Sequence, residues 1–194
     1  MCGVEAPHSG SVLLGGVLIA DLAAAGALAG RIVLVTQEHH VFIGTLRENL
    51  TMASPDAGDD DLMAALATVD ASWVHDLPAG LDTELGSGGV ALDPAQAQQL
   101  ALARVELADP HTLILDEATA LLDPATARQA ERAMGAIHVD RTVIAIAHRP
   151  QTAHDADRVA VVDAGRVVEV GTHDALVAAN GVYAGLWRSW HGTE

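Results

Sequence analysis

The hydrophobic pattern of the second half of the chain predicts a layered α/β fold. Near-continuous apolar runs occur at 112–116 (TLILD), 142–147 (TVIAIA) and 158–163 (RVAVVD), with helical patterns such as 124–137 between them. Buried strands that alternate with helices are typical of a mainly parallel sheet with helices on its faces. The run RVVEV at 166–170 follows an Asp-Ala-Gly turn and is predicted to form a hairpin with the strand before it.

The first half predicts one more buried strand and a helical insertion. The run RIVLVT at 31–36 is short and rich in β-branched residues, which predicts the strand. The acidic stretch 55–61 is followed by a helical pattern that continues to Ala108, which predicts the insertion. The most apolar stretch, 11–30, carries Asp21 at its centre, which would cost about 2.5–3.5 kcal/mol in a bilayer. We therefore expect a strand near Val12–Leu14 and an Ala-rich helix after Asp21 rather than a membrane span.

Composition narrows the classes of function. All ten basic residues are arginine, and 26 acidic residues give a net charge of −16. The absence of lysine excludes a lysine Schiff base and a phosphate-binding loop of the G-x-x-x-x-G-K-[ST] kind within these residues. The negative charge argues against nucleic-acid partners, which need a basic surface. The single Cys2 fits a reduced compartment and cannot form an internal disulfide.

Two acids follow the apolar run at 113–115. Asp116 and Glu117 would lie at the carboxyl end of a strand, where open α/β sheets bind ligands. Neighbouring residues on an extended chain point to opposite sides, so one acid could hold Mg²⁺ while the other faces a water nucleophile. This arrangement suits phosphoryl transfer to water. The same pattern alone also fits two solvated acids at a strand end.

Two further polar residues end apolar runs. His148 follows the run at 142–147 and could hydrogen-bond a terminal phosphate, and Gln37 ends VLVTQ and could orient a water or ligate Mg²⁺. Taken singly, each of the two could equally be an ordinary turn residue. Their coincidence with Asp116 and Glu117, each group at the carboxyl end of its own strand, favours a phosphate site.

Four segments in order resemble the nucleotide-binding domain of ATP-binding cassette (ABC) transporters, and the exporter-type subset fits best. The resemblance covers residues from about Ser9 to Trp187. It implies a P-loop NTPase-like ABC ATPase core, with a helical signature subdomain inserted at approximately 50–108 of a domain spanning 1–194. The segments are VTQEHHVFIGTLRENL, TELGSGGVALDPAQAQQLALAR, LADPHTLILDEATALLD and TVIAIAHRPQTAHDADRVAVVDAGRVVEVGTHDALV.

The resemblance implies a role for each matched residue. Asp116 matches the Walker B aspartate and, with the Q-loop Gln37, would hold Mg²⁺. Glu117 matches the catalytic glutamate that polarises the attacking water, and His148 matches the switch histidine at the γ-phosphate. Asp123 matches the D-loop aspartate, which communicates across the dimer of cassettes.

The signature motif departs from the family pattern. Leu-Ser-Gly-Gly-Gln aligns with Leu92, Asp93, Pro94, Ala95 and Gln96. An Asp followed by Pro is a good helix start, but proline lacks an N–H and a carboxylate repels a γ-phosphate. We therefore expect a helix whose anion site is impaired. The segment at 83–89, TELGSGG, resembles the exporter segment that touches the coupling helices, with Glu84 in the acidic position.

The family's phosphate-binding loop precedes the segment that here reads HSGSVLLGG, and these residues do not contain it. The cofactors implied are ATP and Mg²⁺, but we expect the chain alone to bind ATP weakly. We also expect the sheet to lack a central element and expose an apolar face.

The resemblance implies partners. They are the transmembrane domains of a transporter and a second nucleotide-binding domain, at the cytoplasmic face of the cell membrane. Two alternatives stay open, a non-catalytic interaction module or degenerate remnant that docks on a competent cassette, and a DNA-repair or chromosome-structure ATPase. The acidity and the exporter-like segments disfavour the latter, and the transported substrate is undetermined.

Overall fold

The computed structural model describes residues 7–28, 30–36, 39–116, 141–147 and 150–192. These residues form two compact units, Met1–Ile144 and Ala145–Glu194. The strands are β1 (Leu13–Leu14), β2 (Val17–Leu18), β3 (Ile32–Val35), β4 (Gly44–Thr45), β5 (Glu84–Leu85), β6 (Thr112–Asp116), β7 (Thr142–Ile146), β8 (Val159–Asp163) and β9 (Arg166–Gly171). The α-helices are α1 (Ile19–Ala24), α2 (Leu46–Thr51), α3 (Asp59–Thr68), α4 (Pro94–Ala108), α5 (Pro150–His154), α6 (His173–Ala178) and α7 (Val182–His191), with short 3-10 helices at Ser72–Asp76 and Gly80–Asp82.

The apolar stretch at the start of the chain forms a hairpin and a helix. Strands β1 and β2 pair antiparallel around Gly15 and Gly16, both of which have positive φ. Helix α1 begins at Ile19, earlier than the expected start after Asp21. The carboxylate of Asp21 thereby lies in the first turn, where negative charge interacts favourably with the helix dipole. Among the described helices, none combines the length and apolarity needed to span a bilayer.

A three-stranded sheet of order β3-β6-β7 carries the predicted α/β layer. Strands β3 and β6 are parallel, with Ile32 opposite Thr112 and Val35 opposite Leu115. The first four residues of β6 are buried. The predicted mainly parallel sheet with flanking helices is confirmed. The parallel pairing brings the carboxyl ends of β3 and β6 to the same edge of the sheet.

Helices α3 and α4 contribute seven buried apolar residues to the core of the first unit. Leu62, Leu66 and Leu100 are buried in one apolar cluster with Leu113 of β6. Gln99 is also buried, and its amide joins the two helices: Nε2 donates to the carbonyls of Val69 (3.1 Å) and Asp70 (2.9 Å), and Oε1 accepts from Nε1 of Trp73 (2.9 Å). The bonds to Val69 and Asp70 tie α4 to the residues that directly follow α3.

The second unit is a hairpin with three short helices. Strands β8 and β9 pair antiparallel, with Asp163 opposite Arg166, so the predicted hairpin is confirmed. The turn residues Ala164 and Gly165 both have positive φ, as the twist-compatible two-residue turn requires. The buried core of this unit, within the described residues, consists of Ala153, Val161, Leu176 and Tyr183.

The sequence predicts buried strands at 142–147 and 158–163, and the structure gives some of their side chains partial exposure. Ile146 of β7 is 49% exposed, and Val162 of β8 is 62% exposed. A strand is buried on both faces only where other layers cover both of them.

Leu100 provides a test of the packing of α4. Leu100→Ala removes a fully buried side chain from the α3–α4 core, so the free energy of unfolding should fall by about 2–5 kcal/mol. Urea denaturation followed by circular dichroism measures this loss. The matched control is Leu13→Ala at a 56% exposed position, which should change stability by less than about 0.5 kcal/mol. Equal effects of the two substitutions would contradict the described core.

Candidate active site at a strand edge and a helix start

Asp116 is the one predicted strand-end residue that lies within the described part of the chain. It is the last residue of β6 and is partly exposed, directly after four buried residues. Because Val35 is opposite Leu115, the chain leaves β3 next to Asp116. The predicted residues Gln37, Glu117, Asp123 and His148 lie outside the described residues. The structure therefore gives the edge of the sheet and one carboxylate of the predicted site.

The start of α4 carries the predicted signature residues. Asp93 is the N-cap, and its Oδ1 accepts a hydrogen bond from the backbone N–H of Gln96 (2.8 Å). The side chain of Gln96 returns the contact, since its Oε1 accepts from the N–H of Asp93 (3.0 Å). Pro94 occupies the first helical position, and Leu92 packs against the core of the first unit. The sequence-based expectation of a good helix start is thus realised as a reciprocal capping box.

This capping box changes what the helix start can bind. A helix N-terminus binds an anion through backbone N–H groups that have no partner. Here Pro94 has no N–H, and the N–H of Gln96 is bonded to the carboxylate of Asp93. The carboxylate thus occupies the position in which an external anion would be held. Ala95 and Gln96 are only partly exposed.

The glycine-rich segment Thr83–Gly89 forms a tight loop. Glu84 and Leu85 pair antiparallel with Gly44 and Thr45 as β5 and β4, and the loop closes when the N–H of Val90 donates to the carbonyl of Glu84 (2.8 Å). A Cβ on Gly89 would lie 2.3 Å from the carbonyl oxygen of Glu84. Only glycine therefore fits at residue 89 without moving the backbone.

Three large apolar side chains in the segment 40–45 and at the end of α2 are exposed. Ile43 is 75% exposed, Met52 is 58% exposed and Phe42 is 40% exposed. Ile43 adjoins the loop at 83–89, since a Cβ on Gly86 would be 3.4 Å from the Cα of Ile43. These exposed side chains were not predicted from the sequence. The available signal was an apolar run of three residues, 41–43, directly after a polar stretch, with the chain's only phenylalanine at its centre.

A hydrogen-bond network around Arg104 of α4 was also not predicted from the sequence. Its guanidinium donates to the carbonyls of Asn49 (2.7 Å) and His40 (2.7 Å) and to Oδ1 of Asn49 (2.5 Å). It also lies 5.2 Å from the ring centre of Phe42, within cation–π range. Burial lowers the pKa of Arg104. The sequence carries no signal of this contact, because its partners lie 55 to 64 positions away.

The described residues contain no group of three or more His, Cys, Asp or Glu side chains that could hold a metal ion. Asp116 is the one predicted Mg²⁺ ligand among them. A partly exposed carboxylate at a strand end is the oxygen donor that Mg²⁺ prefers, with most other positions filled by water and phosphate. The residue type and place fit this metal.

Comparison with known proteins identifies the class. The family model described as "ABC transporter" matches residues 1–120. The chain therefore belongs to the ABC transporter family, whose ATPases bind nucleotide. The sequence-based identification of an exporter-type nucleotide-binding domain with an ABC ATPase fold is confirmed.

The relatives agree with this placement. The chain is 40% identical to "Uncharacterized ABC transporter ATP-binding protein YknV" of Bacillus subtilis (strain 168), over 95% of this chain and 30% of that protein. It is also 40% identical to "ATP-dependent lipid A-core flippase" of Cupriavidus pinatubonensis, over 94% of this chain and 31% of that protein. The chain spans about a third of the length of these relatives.

A solved structure shows the same fold. "Structure of a bacterial Atm1-family ABC exporter with ATP bound" superposes with a TM-score of 0.82 at 33% identity. The match covers 97% of this chain and 33% of that chain. The fold of the described units is thus that of an ATP-binding domain of an exporter.

The capping box at α4 can be tested by stability. Asp93→Ala removes the acceptor for the N–H of Gln96, so the free energy of unfolding should fall by about 0.5–2 kcal/mol. Asp93→Ser keeps an N-capping oxygen and should cost a few tenths of a kcal/mol at most. Thermal or urea unfolding measures both. An Asp93→Ala variant as stable as the parent would mean that the capping box does not hold the helix start.

Proposed function

We propose that the chain contributes the Q-loop, signature, Walker B and switch segments of an exporter's nucleotide-binding domain, which hydrolyses ATP to drive transport across a membrane. In this proposal residues 1–194 belong to one such domain, with a helical signature subdomain at approximately 50–108. The observation that carries it is Asp116, a carboxylate at the end of a buried strand parallel to β3, in a chain of the ABC transporter family.

The proposed chemistry divides between the residues at the edge of the sheet. Asp116 and Gln37 hold Mg²⁺, which neutralises charge on the phosphates of the bound nucleotide. Glu117 polarises the attacking water, and His148 hydrogen-bonds the γ-phosphate. Asp123 communicates with the second cassette. Side chains that are adjacent on an extended chain alternate between its two sides, which suits the assignment of the metal and water functions to separate residues.

We further propose that the signature function of this chain is impaired. The carboxylate of Asp93 is exposed and already bonded to the N–H of Gln96. A γ-phosphate at about 4 Å from this carboxylate would be repelled by about 1 kcal/mol even with water-like screening. In a dimer of cassettes, the site that uses this signature is then the weaker one.

Nucleotide affinity is proposed to depend on groups outside these 194 residues. They contain no lysine, and a phosphate-binding loop needs one together with a run of free backbone N–H groups. The chain alone therefore binds ATP weakly and is inactive by itself in this proposal. A second candidate, a non-catalytic module that docks on a competent cassette, is favoured by the same capping box.

The proposed partners are the transmembrane domains of the transporter and a second nucleotide-binding domain. The adjacent exposed side chains of Phe42 and Ile43, of which Ile43 adjoins the loop at 83–89, support the first partner because contiguous exposed apolar side chains are typical of docking sites. The chain would then lie peripherally on the cytoplasmic face of the membrane. The net charge of −16 argues against a nucleic-acid partner, because binding to phosphates needs a basic surface.

Glu117→Gln tests the catalytic proposal in the assembled transporter. Loss of the group that polarises the water should lower ATP turnover by about 100-fold or more, while ATP binding is kept. The matched control is Asp56→Asn, an exposed acid in the loop before α3, which should leave turnover unchanged. Turnover that survives Glu117→Gln would remove Glu117 from its role. An assembled parent that never hydrolyses ATP would favour the non-catalytic module.

Restoring the helix start tests the signature proposal. The double substitution Asp93→Ser and Pro94→Gly removes the carboxylate and returns one N–H to the first turn of α4. If the altered motif limits turnover, ATP hydrolysis by the assembled transporter should rise by about tenfold or more. Asp93→Ser alone removes the carboxylate and keeps Pro94, so it separates the effect of the charge on turnover from the effect of the missing N–H. Unchanged turnover in both variants would show that the motif is not limiting.

A further inference from the structure

Three pieces of the first unit meet at one side chain. Arg104 belongs to α4, Asn49 belongs to α2, and His40 lies in the segment 40–45 that leads into α2. The guanidinium of Arg104 donates three hydrogen bonds in this contact. Two go to the carbonyls of Asn49 and His40, and one goes to the side-chain amide oxygen of Asn49. A planar guanidinium holds such acceptors in a fixed geometry.

Asn49 completes the contact from the other side. It is 1% exposed, and its side chain exchanges two hydrogen bonds with the backbone of Phe42, each of 2.9 Å. Its Nδ2 also donates to the carbonyl of Thr45 (3.0 Å). The side chain of Asn49 thereby uses both donors and its acceptor. Buried polar networks that are fully satisfied in this way are rigid and geometrically specific.

The contact joins two surfaces that have different proposed tasks. The segment 40–45 carries the exposed Phe42 and Ile43 of the proposed docking surface, and Gln37 precedes it in the chain. Helix α4 begins at Pro94, and its N-cap Asp93 lies eleven positions before Arg104, a separation of about 16 Å at the helical rise. The Arg104–Asn49 contact is a hydrogen-bonded link between the segment and α4, beside the apolar packing of α2 against α4 in the core.

We propose that Arg104 is a positioning residue that makes the docking segment 40–45 and the signature helix α4 move as one body. The proposal rests on the proposed function, because it concerns how partner contact at Phe42 and Ile43 reaches the signature at Asp93. Arg104 touches neither nucleotide nor water in this role. It acts through the backbone of residues 40 and 49.

The first arm of the test measures the clamp itself, by hydrogen exchange on the full chain. Arg104→Met keeps an apolar side chain on α4 and removes all three donors. Exchange at the amides of residues 42–45 should accelerate by about 10- to 100-fold, the effect of losing bonds to a charged donor. Exchange at residues 62–66 of α3 should stay within about threefold of the parent.

Arg104→Lys is the conservative variant. An ammonium can serve one or two of the carbonyls without the planar fork, so it should recover part of the protection at 42–45. The matched control is Arg141→Met, which removes another arginine, one that binds the C-terminal end of α4 through Glu106 and Asp109. It should leave exchange at 42–45 unchanged. Uniform acceleration at 42–45 and 62–66 in both Arg104 variants would overturn the proposal in favour of a purely structural role.

The second arm measures transport per ATP hydrolysed in the assembled transporter. With Arg104→Met this ratio should fall about threefold or more, the size expected for a residue that couples two surfaces, and Arg104→Lys should restore part of it. Faster local exchange with an unchanged ratio would overturn the coupling. A parent transporter that neither hydrolyses nor transports would overturn the proposed function, whereas the exchange arm would still decide whether the clamp exists.

Discussion

Helix α4 is packed into the core of the first unit over most of its circumference, and the arrangement of the candidate site depends on this packing. Leu100, Leu102 and Ala103 are fully buried, and Gln99 fixes the helix to the end of α3 through three hydrogen bonds. A helix held on several sides cannot rotate or slide without losing apolar contacts. Its two functional ends, Asp93 and the Arg104 contact, are thus placed by the core.

The same packing explains how the helix start that we propose as an altered signature is compatible with a stable fold. Asp93 and Pro94 are favourable at a helix start, the first as an acceptor for the free N–H groups and the second because it has no N–H to satisfy. These properties stabilise the helix at the position where the family places a phosphate. Stability of the helix start and anion binding therefore compete for the same N–H groups.

Several parts of the site followed from the sequence because they are local. Asp116 follows a run of four buried residues, and the capping box lies within Asp93–Gln96, so both are determined by neighbours in the chain. The hairpin of β8 and β9 followed from its turn in the same way.

The contact of Arg104 with His40 and Asn49 could not be predicted, because the helix that carries Arg104 meets these residues only after folding. The exposure of Ile146 and Val162 could not be predicted either, since an apolar strand pattern does not say which layers cover it.

The sequence by itself determined the class of fold, the family resemblance and the helix cap at Asp93, and it predicted the residues at the strand ends, because each depends on residues a few positions apart. The absence of lysine and the charge of −16 likewise required no structure. Only the tertiary structure decided that Phe42 and Ile43 face solvent and that Arg104 ties their segment to α4. These features depend on which distant segments pack together, and that packing is set by the burial of the whole core rather than by any local pattern.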